Sequence, residues 1–325
     1  MTGQGSGLEA AWYRGAWWLW LLRPIELLFR LLAGTRRLLY VSGVLNTYRA
    51  EKPVIVIGNI TVGGTGKTPV VIALVEALQG RGFKPGVVSR GYGAESGEFP
   101  RHVRADSTAS DCGDEPLLIH QRTGAPCVVD PDRSAALQAL LGQHSVDIVI
   151  SDDGLQHYAL GRDLEVALLD NDRRVGNGFC LPAGPLREPR SRLDTVDFVL
   201  YRNGADIETA VEYEALAWVN LASGEQRNLE SFAGQQVNAM AGIGQPAQFF
   251  ASLQALGIEA RERVFPDHHQ FTAADFSSLP AGPILMTEKD AVKCRSLVGD
   301  DAWFLRISAR LPSRLIDAAA QLAAD

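Results

Sequence analysis

Residues 58–68 read "GNITVGGTGKT". The apolar run Val54-Ile55-Val56-Ile57 precedes the stretch, and Pro69 and a second apolar pattern follow it. A strand, a glycine-rich turn and a helix start therefore stand in that order. Gly63, Gly64 and Gly66 let the backbone wrap closely, so that successive N–H groups point inward at an anion. The helix that starts here adds the positive end of its dipole. Lys67 is spaced to reach β- and γ-phosphates, and Thr68 to set its hydroxyl on Mg²⁺. Pro69 is tolerated because a first-turn N–H needs no helical partner. The expected nucleotide cradle is Thr61, Val62, Gly63, Gly64, Thr65, Gly66, Lys67 and Thr68. The match to G-x-x-x-x-G-K-[ST] is partial, because Thr61 stands where the pattern has its first glycine.

Such a cradle also needs an acid near the metal. "VDIVISDDGLQH" (146–157) carries Asp152 and Asp153 at the carboxyl end of an apolar strand, where ligands gather in parallel sheets. Either carboxylate can hold Mg²⁺ directly or through water. A guanine switch protein is not supported. "TEKD" (287–290) departs from N-K-x-D, and "DDGL" does not give D-x-x-G.

Outward from the cradle, short apolar runs alternate with amphipathic ones. Strands are expected at 54–57, 86–89, 127–129, 147–151, 165–169 and 197–201, and helices at 68–79, 115–122 and 132–143. That alternation implies a P-loop NTPase-type, mostly parallel sheet flanked by helices. "YRNGAD" breaks the series near residue 202. A second series follows, with strands in "VNAMAGIG" and at 261–265, 284–287 and 303–307, and helices at 246–256, 289–297 and 312–323. The expected organisation is a membrane-associating helix at 1–40, a P-loop kinase domain at 41–202 and a smaller α/β domain at 203–325. The last helix is free to pack back on the first domain.

Net charge is −7 over 325 residues, which excludes a general nucleic-acid binder. The four cysteines form no C-x-x-C pair, so neither a zinc site nor a disulfide scaffold is expected. Positive charge collects before residue 40, in Arg14, Arg23, Arg30, Arg36 and Arg37. Between Trp17 and Leu32 the leucines, Ile25 and Phe29 favour insertion by about 3–5 kcal/mol, whereas Arg23, Glu26 and Arg30 at the centre cost up to about 8–10 kcal/mol. Spanning is therefore unfavourable. Arg23, Glu26, Arg30 and Arg37 share an arc of roughly 60° on a helix. The other faces carry tryptophans and leucines. This describes a helix lying in a membrane interface; the competing reading is a helix packed on the protein's own core or on a partner.

"GNITVGGTGKTP", "SRGYG", "GDEP", "SDDGLQH", "LPAGPLREP", "AGIGQP", "FPDHHQF" and "TEKDAVKC" occur in this order. Together with the apolar amino-terminal segment, they resemble the tetraacyldisaccharide 4′-kinase family of lipid A synthesis, from about residue 15 to residue 310. In that family replacement of the first P-loop glycine is usual, so Thr61 fits. The resemblance implies transfer of phosphate from ATP, with Mg²⁺, to the 4′-hydroxyl of a tetraacylated glucosamine disaccharide 1-phosphate. The product is lipid IVA. The implied partners are a membrane-embedded disaccharide lipid and the inner membrane surface, on its cytoplasmic face, with no nucleic acid. The resemblance further implies that Asp114 acts as the base with His268 beside it.

Arg187 and Glu188 lie in a proline-glycine loop. Arg187 is a candidate brace for transferring phosphate, and Glu188 a candidate for the metal shell; loop bracing by salt bridges is the alternative for both. Arg90, Gln156 and His157 follow strand ends and are candidates for the acceptor site. Two other classes share the cradle. One is a membrane-recruited P-loop ATPase, the other a non-catalytic nucleotide-binding adaptor.

Overall fold

The computed structural model describes residues 7–95 and 97–324. Residues 1–6, Ser96 and Asp325, and with them the outer ends of the expected first and last segments, lie outside. The chain opens with α1 (Gly7–Arg14), a 3₁₀ turn (Trp17–Leu22) and α2 (Arg23–Val41). The sequence pattern reads as one helix through this region, but two residues divide it. Gly15 takes a φ of 68°. Pro24 sits in the first turn of α2, where its ring forbids a helix continuous with the turn before it.

The strands and helices then alternate. In chain order they are β1 (Val54–Gly58), α3 (Lys67–Gly80), β2 (Pro85–Ser89), β3 (Arg101–His102), α4 (Ala109–Cys112), α5 (Asp114–Thr123), β4 (Cys127–Val129), α6 (Arg133–Gln143), β5 (Ile148–Asp152), β6 (Leu164–Asp170) and β7 (Phe198–Arg202). After the 203–209 turn come β8 (Ala210–Asn220), β9 (Gln226–Arg227), β10 (Gln236–Ala241), α7 (Pro246–Ala255), β11 (Glu259–Val264), α8 (Ala273–Ser277), β12 (Ile284–Thr287), α9 (Glu288–Cys294), β13 (Ala302–Arg310) and α10 (Ser313–Ala324).

All thirteen strands join one sheet, ordered β11-β10-β12-β13-β8-β7-β6-β1-β5-β2-β4-β3, with β9 beside β8. It is mostly parallel. The antiparallel pairs are β3 with β4, β8 with β13 and β8 with β9. β8 is the link between the two series, pairing in parallel with β7 through Tyr201 and Arg202 and antiparallel with β13.

Both faces of the sheet are covered, so its strands read as continuous apolar runs. In β1, Ile55 and Ile57 pack with Val71, Leu74 and Leu78 of α3 on one face. Val54 and Val56 pack with Leu137 and Leu140 of α6 on the other. The second series has its own cores, around Trp218, Trp303 and Phe232 on one face and Met240, Met286 and Phe271 on the other. Leu315 and Ala319 of α10 join the cluster that contains α3, and Arg81 at the end of α3 meets Asp317 of α10 at 2.6 Å. All four cysteines are buried free thiols.

Candidate active site

β1 and β5 are neighbours, with Ile57 registered against Asp152. Their carboxyl ends therefore deliver the glycine-rich loop and the paired aspartates to one place. The loop is braced from inside. Asn59 donates from Nδ2 to the hydroxyls of Thr61 and Thr65, at 3.4 and 3.2 Å. Val62 N–H donates to Pro185 O at 2.8 Å, and Arg187 N–H to Ile60 O at 2.7 Å. Thr61 is thus a buried brace, which gives a physical role to the residue that departs from the glycine pattern. Gly66 takes a φ of 81°, and a Cβ there would lie 2.7 Å from the Tyr213 hydroxyl oxygen. Only glycine fits that position.

Lys67 opens α3 and lies 3.5 Å from Asp153. Arg187 grips the same carboxylate with two nitrogens, at 3.0 and 3.2 Å. Burial raises Asp153, but Lys67 and Arg187 outweigh it and hold the carboxyl well below the usual range. Its backbone is left-handed, with φ 48°, a conformation that costs a non-glycine residue and collects at functional sites. Asp152 differs. It is fully buried, accepts from Ser89 Oγ at 3.4 Å, and leaves Oδ1 without a partner. Burial, then the nearby Glu115 charge, push it up to about 7.

These groups line a cavity of about 680 Å³ between the two series of elements. Its far wall carries His268, Asp267 and Lys289. His268 Nδ1 lies 3.0 Å from one Asp114 oxygen and 3.1 Å from the other. Since a carboxylate only accepts, Nδ1 is the protonated nitrogen. Burial raises the Asp114 carboxyl, but the His268 hydrogen bond and the charges of Lys289 and Lys293 prevail and lower it overall. Burial works against a charged His268, yet Asp114 raises it overall. His268 also takes a left-handed φ of 59°, and its ring packs on Tyr92 at 4.8 Å. Gly113, before Asp114, has φ 91°, and a Cβ there would strike Tyr92 O at 2.6 Å. Glycine is therefore required where "GDEP" turns into α5.

A family model described as tetraacyldisaccharide-1-P 4′-kinase matches residues 18–323. The chain belongs to that family. A tetraacyldisaccharide 4′-kinase of Pseudomonas aeruginosa (strain LESB58) is 53% identical over 307 residues, covering 93% of this chain and 92% of its own. The enzyme of that name from Pseudomonas putida (strain GB-1) is 51% identical over 308 residues, again covering 93% and 92%. The crystal structure of the "apo" form of LpxK from Aquifex aeolicus in complex with ATP superposes with a TM-score of 0.78 at 26% identity. The match covers 94% of this chain and 99% of that one. The family relationship thus agrees with the P-loop fold and with a kinase function.

Within the family frame, the expected residues divide into two groups. The cavity brings together Gly63, Gly64, Thr65, Gly66, Lys67, Thr68, Arg90, Asp152, Asp153, Arg187 and His268. Asp114 stands directly behind His268. Glu188, Gln156 and His157 are turned elsewhere. Glu188 accepts from Gln156 Nε2 at 2.7 Å and from the Tyr158 hydroxyl, with Arg192 at 3.7 Å. His157 faces Asp132 at 3.5 Å. The arginine cluster of Arg162 and Arg192 draws carboxylates to that side, pairing Glu165 as well.

Among the cavity residues that sequence reading did not assign to the reaction are Arg133, Tyr92, Gln245 and Lys289. Arg133 is buried, with Nη2 donating to Asp152 O at 3.3 Å; burial lowers it to about 10. Its sequence signal is only a helix start after the cap Asp132. Tyr92 lies within "SRGYG". Gln245, within "AGIGQP", donates to Gly64 O at 2.9 Å. Lys289, within "TEKDAVKC", donates to Glu115 at 2.9 Å.

Proposed function

We propose that this chain transfers the γ-phosphate of ATP to the 4′-hydroxyl of a tetraacylated glucosamine disaccharide 1-phosphate, giving lipid IVA. One observation carries the reading. The P-loop lysine and His268, with Asp114 hydrogen-bonded behind the ring, line a single cavity. The relatives' names support the acceptor, and the ATP-bound neighbour supports the donor.

A sugar hydroxyl is a poor nucleophile at neutral pH. Transfer needs it in line, its proton accepted and the γ-charge neutralised. In this reading the acceptor oxygen attacks the γ-phosphorus as the bond to the β-bridging oxygen breaks. The hydroxyl proton passes to the Asp114–His268 pair, with Asp114 as its acceptor. Lys67, the loop amides and Arg187 hold the transferring charge. Asp153 restrains Lys67 and Arg187 before nucleotide arrives and is displaced from them by phosphate. A second assignment, His268 as acceptor with Asp114 behind it, is favoured by exposure. The Asp114 side chain is 4% exposed and that of His268 22%.

The donor set fits Mg²⁺. Asp152 offers a buried oxygen with no protein partner, and Thr68 adds a hydroxyl at the head of α3; hard oxygen ligands suit this ion. Thr68, Asp152 and Asp153 are the residues that would hold it. Bound there, it neutralises charge on the β- and γ-oxygens. Glu188 is committed to Tyr158 and Arg192 and is left out of this set.

The lipid acceptor calls for a protein at the membrane. Among the described residues no helix is long and apolar enough to cross one. The apolar residues of the 3₁₀ turn and α2 are exposed, including Trp17, Trp20, Leu21, Leu28, Leu31 and Leu32. Their exposure supports an interfacial helix, and in this reading it lies on the cytoplasmic face of the inner membrane, where ATP and the lipid acceptor meet. Segments 41–202 and 203–325 are read as two halves that close on nucleotide.

The test is incubation with γ-labelled ATP and the disaccharide lipid in detergent. Label on the lipid, with little free phosphate when lipid is omitted, is expected. Hydrolysis independent of lipid fits an ATPase instead, and binding without turnover an adaptor. Asp114→Asn and His268→Gln, compared for residual transfer, separate the two base assignments.

A further inference from the structure

Lys289 occupies a crossing point. It lies in the first turn of α9 and reaches across to Glu115 of α5. Its Nζ lies 2.9 Å from Glu115, 3.4 Å from His268 Nε2, 3.5 Å from Asp267 and 3.9 Å from Asp114. Its side chain is 16% exposed. One helical turn on, Lys293 meets Asp290 at 2.9 Å and Asp114 at 3.8 Å.

His268 has two ring nitrogens with two unlike neighbours. Nδ1 donates to Asp114. Nε2 faces an ammonium, which can only donate. Of the two neutral tautomers, only the one with its proton on Nδ1 satisfies both. The doubly protonated ring would set an N–H beside the Lys289 ammonium at 3.4 Å, with an Asp267 oxygen farther off at 3.8 Å. The Nε2–H tautomer would set a lone pair against the Asp114 carboxylate. We infer that Lys289 is a positioning residue for phosphoryl transfer, which fixes the His268 tautomer through Nε2 and so holds the Asp114–His268 pair ready to take the acceptor's proton. The inference rests on the proposed role of that pair and adds the residue that orients it.

The charged groups around the pair come from every element packed on it. Asp114 and Glu115 approach from α5, Asp267 from the pair's own loop, and Lys289 and Lys293 from α9. Tyr92 covers the ring from the loop after β2. Burial lowers the Lys289 ammonium's pKa, but Glu115, Asp114 and Asp267 more than offset that, so it stays charged. Its charge lowers both Asp114 and His268. Removing that charge therefore moves either candidate acceptor the same way, upward. The prediction of sign does not depend on which of the two takes the proton.

The experiment uses the full chain with Lys289→Met, Lys289→Arg and Asp114→Asn. Lys289→Met is expected to lower kcat by about 10–100-fold, within the span of acid–base catalysis, while the ATP dissociation constant changes little. The acid limb of the kcat/KM profile is expected to move up by about one pH unit, the scale of a single close charge. Lys289→Arg restores the limb. Ring ¹⁵N NMR of nucleotide-free protein supplies a readout without turnover. At a pH above the ring's titration, His268 is expected as the Nδ1–H tautomer in the wild type and as a mixture of tautomers in Lys289→Met. An unmoved acid limb with weakened ATP binding makes Lys289 a nucleotide contact and overturns the inference, as does an unchanged ring tautomer. Failure of the underlying reading looks different. There Asp114→Asn turns over normally, whatever the His268 ring reports.

Discussion

At Lys67 the P-loop charge is already paired, because Asp153 stands 3.5 Å away and also holds Arg187. Removing the lysine therefore leaves Asp153 with a guanidinium partner, and the fold has no new unpaired carboxylate. Lys67→Ala is expected to keep its circular dichroism and melting temperature while losing about 10²–10³-fold in label transfer, the cost of one preorganised charge stabiliser. Wild-type turnover in this variant removes the cradle from the reaction. The Asp114–His268 pair makes a prediction about stability as well as chemistry. His268 is raised in the folded state, so its contribution is complete below its unfolded value of about 6.5 and is lost as pH rises through the folded value. Asp114 is lowered, so its contribution is complete above about 3.9 and is lost as pH falls through the folded value. The pair stabilises most in the window between. His268→Ala should depress the melting temperature more at about pH 5.5 than at about pH 9. Equal depression at both would show that the charged pair adds nothing to stability. Little of this residue-level chemistry was legible as pattern. "GDEP" and "DHH" mark polar turns, and only the family resemblance singled out Asp114 and His268. Lys289, within "TEKD", was open to positioning adenine or the second domain, and nothing in that string pairs it with Glu115, 174 positions away on α5.

The element most unlike its first reading is the amino-terminal one. The charged stripe was legible from spacing, but its direction was not. In the structure Glu26 is 1% exposed and accepts from Cys180 N–H at 3.1 Å. Arg23 pairs with Glu26 at 2.9 Å and Arg37 donates to the Thr195 hydroxyl at 3.0 Å, while Arg30 at the edge stays 44% exposed. The stripe therefore faces the protein, and the leucine face turns outward. That inverts the usual surface helix, whose apolar stripe packs on the core. Leu28 and Leu31, 56% and 65% exposed, belong to none of the core clusters. Leu28→Glu with Leu31→Glu should leave the melting temperature near wild type and sharply reduce co-sedimentation with phospholipid vesicles, since each leucine withdrawn from water contributes up to about 1.5–3 kcal/mol. Undiminished vesicle binding would show that α2 is not the anchor. Elsewhere the strands of the first series were legible because burial on both faces leaves uninterrupted apolar runs. β8 was not. Its stretch "AVEYEALAWVN" alternates glutamates with buried or half-buried partners, a period-two signal diluted by alanines that pass equally well as helix. Missing β8 hid the fact that one sheet runs through both halves.

For the whole molecule, the α5–α9 seam is the structural question, since the proposed proton acceptor lies on one helix and its partners follow the other. The seam is ionic along its length. Lys289 meets Glu115, Lys293 meets Asp114, and at the far end Arg122 meets both oxygens of Glu288, at 2.9 and 2.7 Å. Arg122 and Glu288 side chains are 10% and 8% exposed, so water cannot stand in for a lost partner. Burial raises the Glu288 carboxyl overall, and Arg122 followed by Arg306 offsets only part of that. Sequence reading expected a boundary near residue 202, where "YRNGAD" breaks the alternation, but could not show which helices meet across the two series. That information lies in charges 166 positions apart. Arg122→Met removes the bidentate partner and leaves a buried carboxylate beside the more distant Arg306. The expected cost is about 3–5 kcal/mol of unfolding free energy, read from urea titration, with a loss of transfer activity larger than any change in ATP affinity. The double variant Arg122→Met with Glu288→Gln removes the stranded charge as well and should recover most of the stability. It should not recover the activity, because α5 and α9 would then meet without the pair that sets their register. Full recovery of both would mean that the seam only holds the halves together and has no part in aligning Asp114 with His268.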